Sequence, residues 1–459
     1  MSSDNLGLTA TVSMALGGMI GGGIYAVLGV VAGIAGPATW AAFVLAGVVA
    51  LCAGYAFNAL NRVDDDNQGG TVSFVQSFVG NSTLAGMAGW TLLFGYIGSM
   101  AMYAFAFGEF AVSLGAVPED LGGLPARPVI SVVAVAAFVG LNLLGAETTG
   151  VVENVLVALK VAILVAFGGL GLIYALVHSS STTIDPGFDR LASFGPLMAA
   201  AVSFVAFQGW QLLFYDQESI ADPVDTIRKA VYVSIPVAVL VYVLVGVVTV
   251  TLVPEAIRNH PHVALKDAAE LMMEPYGLAA VGGTVIALSA LFSTGSAINA
   301  TLFSAARFAR GLIRDDLLPD AVGRAEGDGL PERTVLVVGA VTAAFAAVGS
   351  LGAITSFASL AFILVFGAMS YLALRERDRE EVHSVPPAVG LAGTVVFFPL
   401  MLYHLARDQP GTFVTVVVLA VAVIGVELLY FERDVIEREV DAVESVVVDD
   451  AGSIPPDVD

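Results

Sequence analysis

The chain has 459 residues, of which 57% are hydrophobic and only 13% charged, with a mean hydropathy of +0.86. A soluble domain carries about 25% charged residues and does not string together apolar runs of 18 or more, so a water-soluble fold is excluded and an all-α integral membrane protein is expected. The formal net charge of -22 offers nothing to nucleic acid. With lysine only at 160, 229 and 266, the acidic balance fits a salt-loving source, where a Debye length of about 3 Å makes self-repulsion tolerable.

Twelve apolar spans are expected, over residues 8–35, 38–60, 84–114, 128–146, 151–177, 194–217, 230–253, 277–309, 334–351, 354–374, 387–406 and 411–431. Residues 1–7 read as a cytoplasmic N-terminus and 432–459 as an acidic cytoplasmic tail. No Lys or Arg precedes Arg62 and no small-residue cleavage site follows a short apolar core, so the first span reads as a membrane helix rather than a signal peptide. Placing both termini inside the cell membrane assigns to the cytoplasm Arg62, Arg228, Lys229, Arg307, Arg310, Arg314, Arg324, Arg333, Arg375, Arg377, Arg379, Arg433 and Arg438. It leaves outside Arg127, Arg190, Arg258, Lys266 and Arg407.

The first span contains the run Gly17-Gly18-Met19-Ile20-Gly21-Gly22-Gly23-Ile24. Each glycine costs a helix interior about 1 kcal/mol relative to alanine, so the run predicts that the helix opens there. Gly17 with Gly21, or Gly18 with Gly22, are also small-xxx-small pairs that let two helices pack closely. Gly21, Gly23 and Ala26 fit a dinucleotide spacing, but no strand precedes them and no acid follows until Asp64.

In the second span Cys52 is the single cysteine, which excludes an internal disulfide. The following Asp64-Asp65-Asp66-Asn67-Gln68-Gly69 imitates a calcium loop, yet Val75 stands where a bidentate glutamate is required, and a polar cytoplasmic turn is expected. His178, His260, His262, His383 and His404 lie at span ends or in loops, so no intramembrane metal set and no cofactor are expected. Span 6 is interrupted at Phe207-Gln208-Gly209. Breaks in spans 1 and 6 predict a five-plus-five inverted repeat with broken helices 1 and 6, residues 8–177 and 194–374, with spans 11 and 12 (387–431) appended.

Four blocks carry a family resemblance. Gly18-Met19-Ile20-Gly21-Gly22-Gly23-Ile24-Tyr25 followed by Gly36-Pro37 is similar to the G-x-I-G-S-G-I-F segment and helix-opening G-P of the amino acid, polyamine and organocation permease superfamily. Asn142 to Gly145 through Glu153-Asn154 to Lys160, Phe204 to Trp210 with Glu218 and Asp222-Pro223, and Asn299 to Arg307 with Leu318-Pro319 resemble later blocks of the same family, in order. The resemblance implies an amino acid transporter working by alternating access, with substrate held at mid-membrane.

Opened helix ends offer amides to a carboxylate and carbonyls to an ammonium, which suits a zwitterion. The resemblance assigns the carboxylate to the amides of Gly22 and Gly23, and the ammonium to the carbonyls of Met19, Val205 and Gln208. Ile20, Gly21, Ile24, Phe207 and Gly209 complete the expected site. Ser99 in span 3 is a candidate lining residue, although a serine bonding its own helix is an equal reading. Phe207 and Trp210 are gating candidates. Gly22 replaces the family's usual serine, and Gln211 an acid common at that place, which leaves the substrate class open.

Lys160 lies roughly 14 Å into span 5, where burial costs about 3 kcal/mol or more. The resemblance places it where sodium-driven relatives of the same fold hold a cation, so its ammonium would tether spans 5, 1 and 8 near Ser293 and Thr294. Buried lysines titrate readily, which points to proton-coupled uptake. Exchange of amino acids or polyamines, with Lys160 purely structural, is the alternative. Glu109 and Glu427 read as interfacial, and Glu147, Glu153, Asp216 and Glu218 as solvated cytoplasmic charges or as gate partners for Arg62, Arg228 or Arg307. A gated channel lacks a repeated filter loop, and an enzyme lacks G-x-S-x-G and H-E-x-x-H. The expected partners are an amino acid, the lipid bilayer and protons.

Overall fold

The computed structural model describes residues 5–64, 69–144, 150–178, 184–315, 317 and 331–426. Residues 1–4, residues 65–68 of the expected polar turn, Gly145, Glu147, Leu318, Pro319, Arg324, Glu427, Arg433, Arg438 and residues 432–459 lie outside that description, as does the side chain of Glu153.

The helices in chain order are α1 (Leu8–Ala35), α2 (Thr39–Val63), α3 (Thr71–Val79), α4 (Ser82–Ser113), α5 (Ala126–Leu143), α6 (Gly150–Val177) and α7 (Phe194–Ser203). They continue with α8 (Pro223–Leu252), α9 (Pro254–Asn259), α10 (Ala264–Met273), α11 (Ala279–Arg314), α12 (Glu332–Val348), α13 (Leu351–Arg375), α14 (Val385–Asp408) and α15 (Pro410–Val426). A two-residue hairpin, Asp120–Leu121 against Leu124–Pro125, precedes α5. Among the described residues nine segments are long and apolar enough to cross a membrane, the first of them, Leu8–Val63, holding both α1 and α2.

Apolarity extends to the outside of the bundle. Val133, Leu159, Leu170, Ile173, Val395 and Tyr403 on α5, α6 and α14 are exposed, as residues facing lipid must be. Inside, α1, α4, α7 and α13 are buried along most of their length, with α1 packed on α6, α7, α8 and α11, and α4 on α11 and α13. Bare backbone polar groups are not tolerated at this depth, so the core is helical except where side chains satisfy it.

Described residues pack across both ends of the core. At the end where α1 begins, Leu6 pairs with the strand-like turn after span 6, its N–H on the Ser219 carbonyl (2.8 Å) and its carbonyl accepting from Ala221 (3.0 Å). Asn61 and Gln217 exchange side-chain hydrogen bonds there, and Arg307 of α11 pairs with Asp216 at 2.8 Å. Of the expected cationic partners, Arg62 instead donates to the Glu381 carbonyl and Arg228 to Asp225 of its own helix.

At the opposite end, the turn Pro261–Val263 seats against α1, where the Pro261 backbone fills the space a side chain at Gly29 would need. His262 lies edge-on to Phe105 of α4, 5.4 Å between ring centres, and its Nδ1 is buried without a partner. Arg127 lies over the same Phe105 ring, 4.0 Å from its centre, stands 3.9 Å from Glu109, and donates to the Ala346 carbonyl in α12.

Burial first, and the Arg127 guanidinium second, push the His262 imidazole below its ordinary pKa. The packed turn therefore prefers neutral His262, an exposed turn binds more protons, and the packed state loses stability as pH falls through the ordinary imidazole range. Asp267 on α10 acts in the opposite sense, its carboxyl raised by burial against the lowering effect of Lys266. Lowering the pH from about 7 to about 5 should raise intrinsic-rate-corrected hydrogen exchange at residues 260–263, and His262→Phe should remove that increment.

Candidate functional site

Two stretches predicted from separate parts of the chain meet at the centre. A Cβ at Gly18 would stand 2.7 Å from the Gly209 Cα, and one at Gly209 would stand 2.8 Å from the Gly18 Cα, so α1 and span 6 touch backbone to backbone. Span 6 is interrupted there as expected. α7 tightens into a 3₁₀ turn at Phe204–Phe207, Gln208 is extended (φ -80°, ψ 154°), and Gly209 takes φ 129°, ψ -43°, before a second 3₁₀ turn over Trp210–Tyr215. A φ of that sign and size belongs to glycine.

The expected break in span 1 does not occur: α1 is one helix through Gly17–Ile24. The run serves close approach instead, the small-residue packing reading. A side chain at Gly21 would collide with Ala297 of α11, at Gly22 with the Tyr103 ring, and at Gly23 with the Tyr242 hydroxyl and Ala206. Helix carbonyls keep a second lone pair, and three of them along the run accept side-chain donors. Lys160 Nζ reaches the Gly17 carbonyl (3.3 Å), the Tyr242 hydroxyl the Met19 carbonyl (2.7 Å), and Ser293 Oγ the Ile20 carbonyl (3.2 Å).

Lys160 is 5% exposed and joins α6 to α1 beside α11. Of the two hydroxyls expected beside it, Ser293 donates to the Ile20 carbonyl (3.2 Å) and Thr294 bonds its own helix at Ala290 (2.7 Å). Ser99 likewise donates to Gly95 of α4 (2.9 Å). The Val205 carbonyl, expected to face an ammonium, accepts from Gln208 N–H (3.2 Å), and the Val205 N–H is held by Ser359 of α13 (3.0 Å), which also donates to the Val202 carbonyl (2.6 Å). Phe207 packs on Tyr242, 5.3 Å between ring centres. Trp210 sits among Phe57, Phe214 and Phe366, in the aromatic core rather than over the crossing.

Sequence reasoning did not reach Tyr103, Ala206, Tyr242, Gln211 as a brace, or Ser359. Tyr103 lies one turn beyond Ser99 on the same helix face, a signal that i,i+4 spacing carries. Tyr242 and Ser359 sit on distant spans, and nothing in their local sequence points inward. The Tyr242 hydroxyl has one proton and faces two carbonyls, Met19 of α1 at 2.7 Å and Ala206 of span 6 at 2.9 Å. Gln208 Nε2 donates to the Tyr103 hydroxyl, and Gln211 accepts from Gly209 N–H (2.6 Å) and donates to Gln208 Oε1 (3.3 Å).

A family model described as amino acid permease matches residues 6–431. The chain belongs to the amino acid permease family. Similar permeases and transporters include the inner membrane transport protein YbaT of Escherichia coli, 28% identical over 85% of this chain and 87% of that one. The branched-chain amino acid permease BcaP of Bacillus subtilis is 23% identical over 86% of this chain and 87% of its own. In fold the chain resembles a manganese transporter of Eremococcus coleocola, with a TM-score of 0.60, 12% identity, and coverage of 92% and 93%. The molecule is thus a multi-pass membrane permease and not an enzyme.

Gly209→Ala should destabilise the permease by more than about 2 kcal/mol, because an L-residue is strained at that φ and its Cβ overlaps Gly18. A fall in the melting temperature of detergent-solubilised protein, with Gly33→Ala near wild type because its surroundings are open, checks this.

Proposed function

We propose that this permease carries amino acids by alternating access, with the substrate bound between α1 and the break in span 6. The observation that carries the reading is the Gly18–Gly209 contact, which brings an interrupted helix and a glycine-lined helix together with no side chain between them. Closure at both ends of the core is what an occluded intermediate requires. BcaP, by its name a branched-chain amino acid permease, adds support for an amino acid cargo.

The carbonyls of Met19 and Ala206 share one hydroxyl proton of Tyr242. A substrate ammonium has three donors and would satisfy both, with Tyr242 displaced. The carboxylate would approach the Gly22 and Gly23 amides once α1 opens at the run and the Tyr103 ring leaves Gly22, with Ile20, Gly21, Ile24, Val205, Phe207, Gln208 and Gly209 around it. Apart from Lys160 the polar side chains at the crossing are neutral, Ser99, Tyr103, Gln208, Gln211, Tyr242 and Ser293, which suits a zwitterion.

Lys160 couples this cycle to protons, since releasing its proton would loosen the tie between α6 and the Gly17 carbonyl. The twelve spans then form two inverted five-helix repeats plus an appended pair, with both termini in the cytoplasm. Counterflow in liposomes with a panel of amino acids and polyamines, with and without pH and sodium gradients, should give saturable uptake of an amino acid. No saturable uptake of any amine-bearing solute overturns the reading. Lys160→Ala should lower pH-driven uptake about tenfold or more. Full uptake with an unchanged pH profile would leave an exchanger in which Lys160 is structural.

A further inference from the structure

The Gly209 N–H can only donate, so the Gln211 side-chain oxygen must face it, and does so at 2.6 Å. That orientation turns the Gln211 Nε2 towards Gln208 Oε1, 3.3 Å away. Gln208 in turn has only its Nε2 left to offer, and it donates to the Tyr103 hydroxyl. One backbone N–H in the break thus sets the direction of every hydrogen bond out to Tyr103 on α4. The Tyr103 ring ends this chain by lying over Gly22 of α1.

We propose that Gln211 is a positioning residue which holds the span-6 break and, through Gln208, keeps the Tyr103 ring on Gly22, so that the break and the cover of the glycine run move as one unit. The inference rests on the reading of this crossing as the substrate site. A carboxylate reaching the Gly22 amide has to push the Tyr103 ring aside. That movement withdraws the hydroxyl from Gln208, and since Gln208, Gln211 and Tyr103 are fully buried, no solvent replaces the lost bond. Gln208 is then held only by Gln211, and the pair that braces Gly209 at φ 129° loses its anchor on α4. Arrival of substrate at α1 is felt at the half of span 6 that runs through Trp210–Tyr215 to the Arg307–Asp216 pair.

Trp210 stands between Gly209 and Gln211 in sequence and packs on Phe57, Phe214 and Phe366, so its emission reports the break without any substrate. In a Trp40→Phe, Trp90→Phe background it is the one remaining tryptophan. Gln211→Leu should shift its emission to the red. Tyr103→Phe keeps the ring, deletes one hydroxyl and should shift it in the same direction. The double variant should shift no further than Gln211→Leu alone, as expected for groups acting in series.

An unchanged spectrum in Tyr103→Phe, or two shifts that simply add, overturns the proposal. Should Gln211→Leu fail to purify as a single species, Tyr103→Phe against its parent decides the matter alone. Because the readout needs no transported solute, this result is separate from the counterflow assay: failure to transport amino acids would remove the site's function and leave the fluorescence coupling standing.

Discussion

Everything at the centre of this permease depends on one contact, the backbone of Gly18 in α1 against the backbone of Gly209 in span 6. Packed helix axes are usually separated by about 8–10 Å because side chains lie between them. Removing the side chains on both partners lets the interrupted span pass directly over the helix, and forces each neighbour to fit around that crossing. Gly22 then has room for an aromatic ring, Gly23 for a hydroxyl, and Gly21 for the flank of α11.

The crossing leaves backbone groups to be satisfied in a medium that has no water to offer. Ser359 does this for the first 3₁₀ turn by bonding both Val202 and Val205, while Gln211 does it for Gly209. On α1 the demand is reversed: its carbonyls are engaged within an unbroken helix, and Lys160, Tyr242 and Ser293 arrive as additional donors. These three side chains come from α6, α8 and α11. They surround the glycine run with donors aimed at its carbonyls.

The sequence was legible where the physics is local. Long apolar runs between charged turns marked the membrane segments, because the hydrocarbon core sets a length for every crossing. Phe207-Gln208-Gly209 marked the interruption of span 6, since glycine weakens a helix interior. The run Gly17–Gly23 marked α1 as unusual, but glycine content alone does not separate an opened helix from a closely packed one. Neighbours decide, and here the Tyr103 ring, Ala297 and the Gly209 backbone occupy the space that side chains on the run would need.

The sequence by itself determined a polytopic membrane protein with a glycine-rich first span and an interrupted sixth, because hydropathy, helix propensity and backbone freedom are properties of short stretches, and its motif blocks carried the resemblance to the permeases. Only the tertiary structure decided that those two stretches touch, that the first stays helical, and that Tyr103, Tyr242, Gln211 and Ser359 close the crossing. Those residues come from α4, α8, span 6 and α13, and apart from the local Gln211–Gly209 bond they join elements far apart in the chain, which leaves no periodicity to read.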